Sequence, residues 1–241
     1  MAQIKVSGVE KRFDGDGAAR GLHALGPIHF EIADREFVCL IGPSGCGKST
    51  LLNILARLMP PTRGEIVIDG RQLTAAAVPA PEVRIAYVFQ EPRLLPWLTV
   101  RENIEFALRS YAVPAARWSE IVEDHVRLVG LVGFADAYPG KLSGGMRQRA
   151  AIARALAIDP SILLMDEPFS GLDELTARTM REELLRIWSN SRKTVLFVTH
   201  NSFEAFYLAD RVLVMARRPG CIIRCERSTR SPTPPTTATQ R

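Results

Sequence analysis

Nine consecutive residues have the types and spacing needed to hold the phosphates of a nucleotide. They are Gly42, Pro43, Ser44, Gly45, Cys46, Gly47, Lys48, Ser49 and Thr50, called here the phosphate loop, and they fit the pattern GxxxxGK[ST]. The glycines allow backbone N–H groups to curl around an anion, and the start of the following helix adds its positive dipole end. We expect Lys48 to reach the β- and γ-phosphates and the Ser49 hydroxyl to bind Mg²⁺.

Four further polar residues follow predicted strands. Asp166 and Glu167 end the apolar run at residues 162–165. Because ligands gather at the carboxyl ends of parallel strands, Asp166 can face Mg²⁺ and Glu167 can orient or deprotonate a water. Gln90 and His200 also follow strands, where each can reach the γ-phosphate. Taken singly they have plain structural alternatives: a helix cap for the acid pair, a surface amide and a structural histidine.

A second glycine segment, residues 142–148 (LSGGMRQ), can also bind an anion. We call it the signature segment. Ser143 is expected to cap the helix that follows, and Gly144 and Gly145 leave backbone N–H groups open to close approach. It lies too far along the chain to be part of the phosphate loop. The alternative is an ordinary capped helix after a turn.

The elements that must position these residues alternate between strands and helices. Strands are predicted at residues 4–9, 25–32, 36–41, 64–70, 85–90, 162–166 and 194–199. Helices are predicted at residues 49–58, 100–108, 118–129, 144–156 and 174–188, and a loop at residues 14–21. The helix-rich middle predicts a lobe inserted into an α/β core of mainly parallel strands.

Composition excludes several classes of protein. The chain has 241 residues, a net charge of +5 and a pI of about 9.3, but its basic residues are scattered, so we expect no nucleic-acid partner. It has no apolar run near the ~18 residues of a membrane span and no signal peptide, which predicts a cytosolic protein. Cys39, Cys46, Cys221 and Cys225 form no metal-binding cluster, and reduced thiols are expected.

Taken in order, these segments resemble the motifs of the ATP-binding subunits of ABC transporters, from about residue 6 to residue 220. Residues 42–50 resemble Walker A, Gln90 the Q-loop, residues 142–148 the signature, residues 162–167 Walker B, residues 170–173 the D-loop and His200 the switch histidine. Phe13 stands where the family places an aromatic residue that stacks on adenine. Six ordered motifs in one chain are highly specific.

The resemblance implies the fold and the domain organisation. The implied fold class is α/β: a P-loop NTPase (RecA-like) core of mainly parallel strands, with an N-terminal antiparallel β part and an inserted helical subdomain. One ABC ATPase domain would cover residues 1–217, with its core at 1–91 and 156–217 and the helical subdomain at 92–155. Residues 218–241, which end in a Pro/Thr-rich stretch, are predicted to form a disordered tail.

The resemblance also implies the chemistry, with ATP and Mg²⁺ as the cofactors. Catalysis would fall to Lys48, Gln90, His200 and Glu167, the last as the base, and Mg²⁺ would be held by Ser49, Gln90 and Asp166. The nucleotide would be bound by Phe13, by the whole phosphate loop and by Ser143, Gly144 and Gly145. In this family two subunits pair head to tail, so that ATP lies between Walker A of one copy and the signature of the other.

Finer phrases resemble the importer branch for nitrate, sulfonates and taurine: residues 88–97 (VFQEPRLLPW), 138–146 (YPGKLSGGM) and 208–212 (LADRV). The branch implies uptake of a small anionic or organic solute, a transmembrane permease partner and, indirectly, a periplasmic solute-binding protein. The chain would then lie at the cytoplasmic face of the inner membrane. Asn201 and Gly171 depart from the usual Asp and Ala, but neither change removes a catalytic group.

Two other classes of function are less well supported. A soluble ABC ATPase acting on chromosomes would carry a long coiled coil between Gln90 and Ser143, where this chain has a short stretch without heptads. Relatives that act in translation carry two cassettes, and this chain has one. A binding module with degenerate motifs conflicts with the intact Lys48, Asp166 and Glu167.

Overall fold

The computed structural model describes residues 2–14, 21–73, 83–191 and 193–228. The strands of this part are β1 (Ile4–Phe13), β2 (Leu22–Ile32), β3 (Phe37–Ile41), β4 (Arg63–Ile68), β5 (Arg71–Gln72), β6 (Ile85–Val88), β7 (Ile162–Asp166), β8 (Thr194–Thr199), β9 (Arg211–Ala216) and β10 (Cys221–Arg227). Its α-helices are α1 (Lys48–Leu55), α2 (Val100–Ser110), α3 (Trp118–Leu128), α4 (Gly144–Ala157), α5 (Glu174–Ser191) and α6 (Ser202–Leu208).

The larger sheet has six strands in the order β10-β9-β3-β8-β7-β6. Five of them run parallel, since β3 pairs with β8 and β9, and β7 pairs with β6 and β8, all in parallel register. Every residue of β7 and β8 is buried, as expected for parallel strands covered on both faces. Parallel strands end at one edge of the sheet, and the predicted site residues follow β3, β6, β7 and β8 there.

The smaller sheet is antiparallel, with the order β2-β1-β4-β5. Its apolar face, including Ile4, Val6 and Ile28, joins a buried cluster with Leu40 of β3 and Leu52 of α1. This sheet therefore fixes the position of the phosphate loop from one side. Together the two sheets match the predicted α/β class, with an N-terminal antiparallel part beside a mainly parallel core.

Helices α2, α3 and α4 pack against one another in the middle of the chain. The start of α2 is fixed by a capping box, in which Thr99 Oγ1 accepts from the Glu102 backbone N–H at 3.2 Å and Glu102 Oε2 accepts from the Thr99 N–H at 2.7 Å. The helices also contact the core, since Gln148 Nε2 of α4 donates to the Phe89 carbonyl at 3.2 Å. That bond ties the signature helix to the segment just before Gln90.

The structure corrects the predicted start of the disordered tail. Cys221–Arg227 forms β10, which pairs antiparallel with β9, so ordered backbone continues well past residue 217. Most of its side chains are at least partly exposed, and the sequence therefore lacks the apolar alternation that marks a strand. Hydrogen bonds to β9 hold it instead. Residues 229–241, the rest of the predicted tail, and residues 15–20 of the predicted loop lie outside the described residues.

No helix in the described ranges combines the length and the apolar character needed to cross a membrane.

Candidate nucleotide-binding site

The phosphate loop joins the end of β3 to the start of α1, and two of its glycines are required by close packing. Gly47 has a φ of 101°, and a Cβ there would lie 2.5 Å from Cδ2 of Leu25 in β2. A Cβ on Gly42 would lie 2.5 Å from the carbonyl oxygen of Met215 in β9. Since real Cβ atoms do not approach so closely, these positions accept only glycine in this conformation.

The Lys48 ammonium is held inside the loop. Its Nζ donates to the Gly42 carbonyl at 2.8 Å and to the Pro43 carbonyl at 3.3 Å, and the residue is 6% exposed. These two carbonyl oxygens accept hydrogen bonds from the Lys48 ammonium that phosphate oxygens could also accept. The Cys46 side chain points the other way and is buried in the core, so this residue can contact a phosphate only through its backbone.

A cleft of about 470 Å³ opens beside the loop, and we call it the nucleotide cleft. Its lining includes the predicted residues Phe13, Ser44, Gly45, Gly47, Lys48, Ser49, Thr50, Gln90 and Glu167. It also includes four residues that the sequence did not indicate: Leu22, His23, Ala24 and Arg218. The cleft is therefore bounded by both sheets and by the turn between β9 and β10.

Asp166 and Ser49 form an oxygen-rich pair at the edge of the larger sheet. The Ser49 hydroxyl hydrogen-bonds the Asp166 carboxylate, and Tyr87 Oη donates to its Oδ2 at 3.4 Å. Burial raises the pKa of Asp166 above its ordinary value, as does the neighbouring Glu167, against the opposing effect of the hydrogen bonds. A hydroxyl beside a carboxylate is the donor set that Mg²⁺ prefers, so these residues fit that ion.

Glu167 and His200 meet at the same edge. Nδ1 of His200 lies 2.8 Å from Oε2 of Glu167, and the Glu167 backbone N–H donates to the Val198 carbonyl at 2.9 Å. Glu167 has a φ of 45°, a conformation that costs a non-glycine residue roughly 1–3 kcal/mol. The carboxylate is thus held at the cleft by a strained backbone and a histidine partner.

The signature segment lies apart from this cluster. Ser143 caps α4 by accepting the Met146 backbone N–H at 3.2 Å, as its sequence predicts. Gly144 is exposed, and neither glycine nor Ser143 is among the described residues that line the nucleotide cleft. The fold brings together Phe13, the phosphate loop, Gln90, Asp166, Glu167 and His200, but not the two candidate phosphate-binding segments.

Arg218 is a charged residue that lines the cleft, although the sequence predicted that it belongs to the tail. It reaches the cleft because Gly220 packs on β2 of the smaller sheet. The Gly220 N–H donates to the Ala24 carbonyl at 3.0 Å, and the Gly26 N–H donates to the Gly220 carbonyl at 2.9 Å. A Cβ on Gly220 would lie 2.0 Å from the Cys46 carbonyl oxygen. Pro219-Gly220 is a common turn dipeptide, so the sequence indicated a turn but carried no signal that would place Arg218 at the cleft.

Comparison with protein families gives one match over most of the motifs. Residues 25–170 match the family described as ABC transporter. That range contains the phosphate loop, Gln90, the signature segment, Asp166 and Glu167.

Three relatives are similar to this chain over most of its length. An ABC transporter ATP-binding protein of Methanocaldococcus jannaschii, MJ0412, is 47% identical over 91% of this chain and 80% of its own length. The taurine import ATP-binding protein TauB of Rhizobium johnstonii is 48% identical over 85% of this chain and 76% of its length. The aliphatic sulfonates import ATP-binding protein SsuB of Bacillus cereus is 44% identical over 91% and 83%.

A solved structure has the same fold. It is a dimer of the ATP-binding cassette MJ0796 in a post-hydrolysis state bound to ADP and Pi, with 33% identity and a TM-score of 0.84 over 95% of this chain and 100% of that one. The family match, the relatives and this structure agree with the order of motifs along the sequence. The chain therefore belongs to the ABC transporter family, of which it forms an ATP-hydrolysing cassette.

Proposed function

We propose that this chain uses ATP to energise uptake of a small anionic or organic solute of the nitrate, sulfonate or taurine type. The observation that carries the proposal is that Lys48, Ser49 and Glu167 line one cleft. Asp166 hydrogen-bonds Ser49 beside that cleft, and His200 hydrogen-bonds Glu167. The solute class rests on the names of TauB and SsuB, which import taurine and aliphatic sulfonates.

The phosphate loop would hold the β- and γ-phosphates of ATP. The residues of the loop other than Pro43 would present backbone N–H groups to the phosphates. Lys48 would exchange its two carbonyl partners for phosphate oxygens, and Thr50 would complete the loop at the cleft wall. Phe13 also lines this cleft and would offer an aromatic face to the adenine.

Ser49, Gln90 and Asp166 would hold Mg²⁺, and the two oxygen side chains already hydrogen-bond each other. When bound, this ion neutralises charge that develops on the phosphate oxygens. Burial raises the pKa of Asp166, and a bound cation would favour its ionised form, as the nearby Lys48 already does.

Glu167 would act as the base for the attacking water, since its carboxylate lines the cleft beyond the phosphate loop. His200 would hold Glu167 in position and contact the γ-phosphate with its other ring nitrogen. Gln90, which also lines the cleft, would report the presence of the γ-phosphate to the helical region through the Phe89–Gln148 hydrogen bond.

The partners follow from the position of the signature segment. Ser143, Gly144 and Gly145 lie outside the chain's own cleft, so a second copy arranged head to tail would bring them to its nucleotide. A transmembrane permease would dock beside residues 90–97, where Trp97 is 69% exposed, and a periplasmic solute-binding protein would act through that permease. The chain would lie at the cytoplasmic face of the inner membrane, with no nucleic-acid partner.

Substitution of the base tests the proposal. Glu167→Gln keeps the size of the side chain and removes its basicity, so hydrolysis should fall by roughly two to four orders of magnitude while ATP binding persists. In the presence of ATP, the variant should then accumulate as ATP-bound dimers, which size-exclusion chromatography detects. Glu182→Gln, at an exposed acid of α5, is the matched control and should hydrolyse ATP at the wild-type rate. Wild-type hydrolysis by Glu167→Gln would show that another group is the base.

A further inference from the structure

A buried arginine outside the nucleotide cleft connects α5 to the turn that carries His200. Arg181 is 2% exposed and has carboxylate partners on two sides. Its Nη1 donates to Oε1 of Glu204 in α6 at 2.9 Å, and its Nη2 donates to Oε1 of Glu174 at 2.5 Å. Glu204 is itself 7% exposed, so this is a buried ion pair, whereas Glu174 lies at the surface.

The hydrogen bonds continue from Glu204 to both neighbours of His200. Oε2 of Glu204 accepts from the Thr199 hydroxyl at 2.7 Å, and the same hydroxyl oxygen accepts from the Asn201 backbone N–H at 3.0 Å. Asn201 in turn caps α6, because its Oδ1 accepts from the Glu204 N–H at 3.3 Å. We call residues 199–201 the switch turn, and its residues on either side of His200 are held by one network.

We propose that Arg181 is a positioning residue for His200 in ATP hydrolysis. A buried ion pair is weak support for stability, because desolvation cancels much of its attraction, but its fixed geometry can hold a backbone in one place. Here that place is the switch turn, which puts the His200 imidazole 2.8 Å from Glu167. The inference rests on the proposed roles of Glu167 and His200.

The same arginine links the switch turn to the start of α5. Glu174 is the first residue of that helix and directly follows the D-loop match at residues 170–173. Because Arg181 bonds Glu174 and Glu204 with different nitrogens, a displacement of the D-loop end is transmitted to the switch turn. The exposed Glu174 should matter less than the buried Glu204.

Removal of the arginine is the first test. Arg181→Met keeps an apolar stem of similar length but leaves Glu204 without its cation, so we expect kcat to fall by roughly ten- to a hundredfold through misplacement of His200. The Kd for ATP should change less than about twofold, since Arg181 bonds Glu204 and Glu174 rather than the phosphate loop. Arg178→Met, which removes an exposed arginine one turn away on the same helix, should leave both unchanged.

Thr199 supplies a second test that does not disturb the ion pair. Thr199→Val removes the hydroxyl with little change in shape and should lower kcat by about tenfold at constant Kd. Thr199→Ser restores the hydroxyl and should recover the wild-type kcat to within about twofold. Recovery by serine separates positioning from packing, because serine fills the buried space less well than valine.

The outcomes distinguish this inference from the proposed function. A wild-type chain that hydrolyses no ATP at any concentration would contradict the proposed function. If the wild type is active, and folded Arg181→Met and Thr199→Val both keep its kcat, only the positioning role of Arg181 is overturned. If Arg181→Met does not fold, the Thr199 pair decides: equal kcat values for valine and serine would overturn the inference, and recovery by serine alone would support it.

Discussion

The phosphate loop and the signature segment are both glycine-containing turns before a helix, yet they are embedded differently. The phosphate loop is enclosed by two sheets: its Gly42 and Gly47 contact β9 and β2 so closely that a Cβ has no room. In the signature segment, the atom nearest to a Cβ on Gly144 would be the flexible end of Arg147, 3.9 Å away. The phosphate loop is thus packed closely by residues of its own chain, whereas Gly144 of the signature segment is exposed to solvent.

The difference shows what each glycine is for. At Gly42 and Gly47, glycine is needed for the chain to pack in this conformation, and the proposed phosphate binding would use a shape that already exists. At Gly144, the chain itself does not require glycine, so the missing side chain leaves room for something that arrives from outside. The proposed head-to-tail second copy, with its nucleotide, would fill that space.

Complementation between two inactive chains gives the largest expected effect. Lys48→Ala disables the phosphate loop and Ser143→Arg blocks the signature segment, so each variant alone should lose hydrolysis by about a hundredfold or more. A mixed dimer contains one intact pair of segments. An equal mixture should therefore recover up to about a quarter of the wild-type rate, measured as phosphate release.

The control for complementation is a chain that carries both changes. Mixed with Lys48→Ala, it forms dimers in which every phosphate loop is disabled, and no recovery is expected. Absence of recovery in the Lys48→Ala and Ser143→Arg mixture, with dimers present, would mean that the two segments do not act across a shared interface.

Alanine at the two kinds of glycine should have unequal effects on stability. Gly47→Ala forces a side chain into a left-handed conformation and against Leu25, so the free energy of unfolding should fall by about 1–3 kcal/mol and ATP binding should weaken. Gly144→Ala should change that free energy by less than about 0.5 kcal/mol. Thermal unfolding and ATP titration of monomers measure both; equal losses at the two positions would contradict the comparison.

Sequence alone predicted the features that short local patterns encode. The phosphate loop, the acids after β7 and the Ser143 cap each need only neighbouring residues, and a regular strand or helix positions them. It did not predict β10, because the exposed side chains of that strand give no apolar alternation. It did not place Arg218 at the cleft, because that position depends on contacts of the neighbouring Gly220 with β2, far away in sequence. The network around Arg181 was missed for the same reason.

Arg218, which the sequence did not place at the nucleotide cleft, provides a test of the cleft beside the enclosed phosphate loop. Its side chain lines the nucleotide cleft, whereas that of the adjacent, exposed Arg217 is not among the described residues that do so. Arg218→Ala should weaken ATP binding by about fivefold, roughly 1 kcal/mol for a solvent-screened contact with an anion. Arg217→Ala should leave the Kd within about twofold, and equal effects of both changes would point to general charge rather than contact.

The smallest expected effect concerns charge, because Asp166, beside the nucleotide cleft, is a buried acid and the signature segment contains no acid. Burial raises the pKa of Asp166 above its ordinary 3.8, so its ionised form destabilises the fold without ligand. Stability from this group is complete below pH 3.8 and is lost as pH rises through the folded-state pKa. Asp166→Asn should therefore raise the Tm at pH 7, and its advantage should shrink as pH falls toward 4. With Asp136→Asn as an exposed control, an advantage independent of pH would show that the carboxylate charge is not the cause.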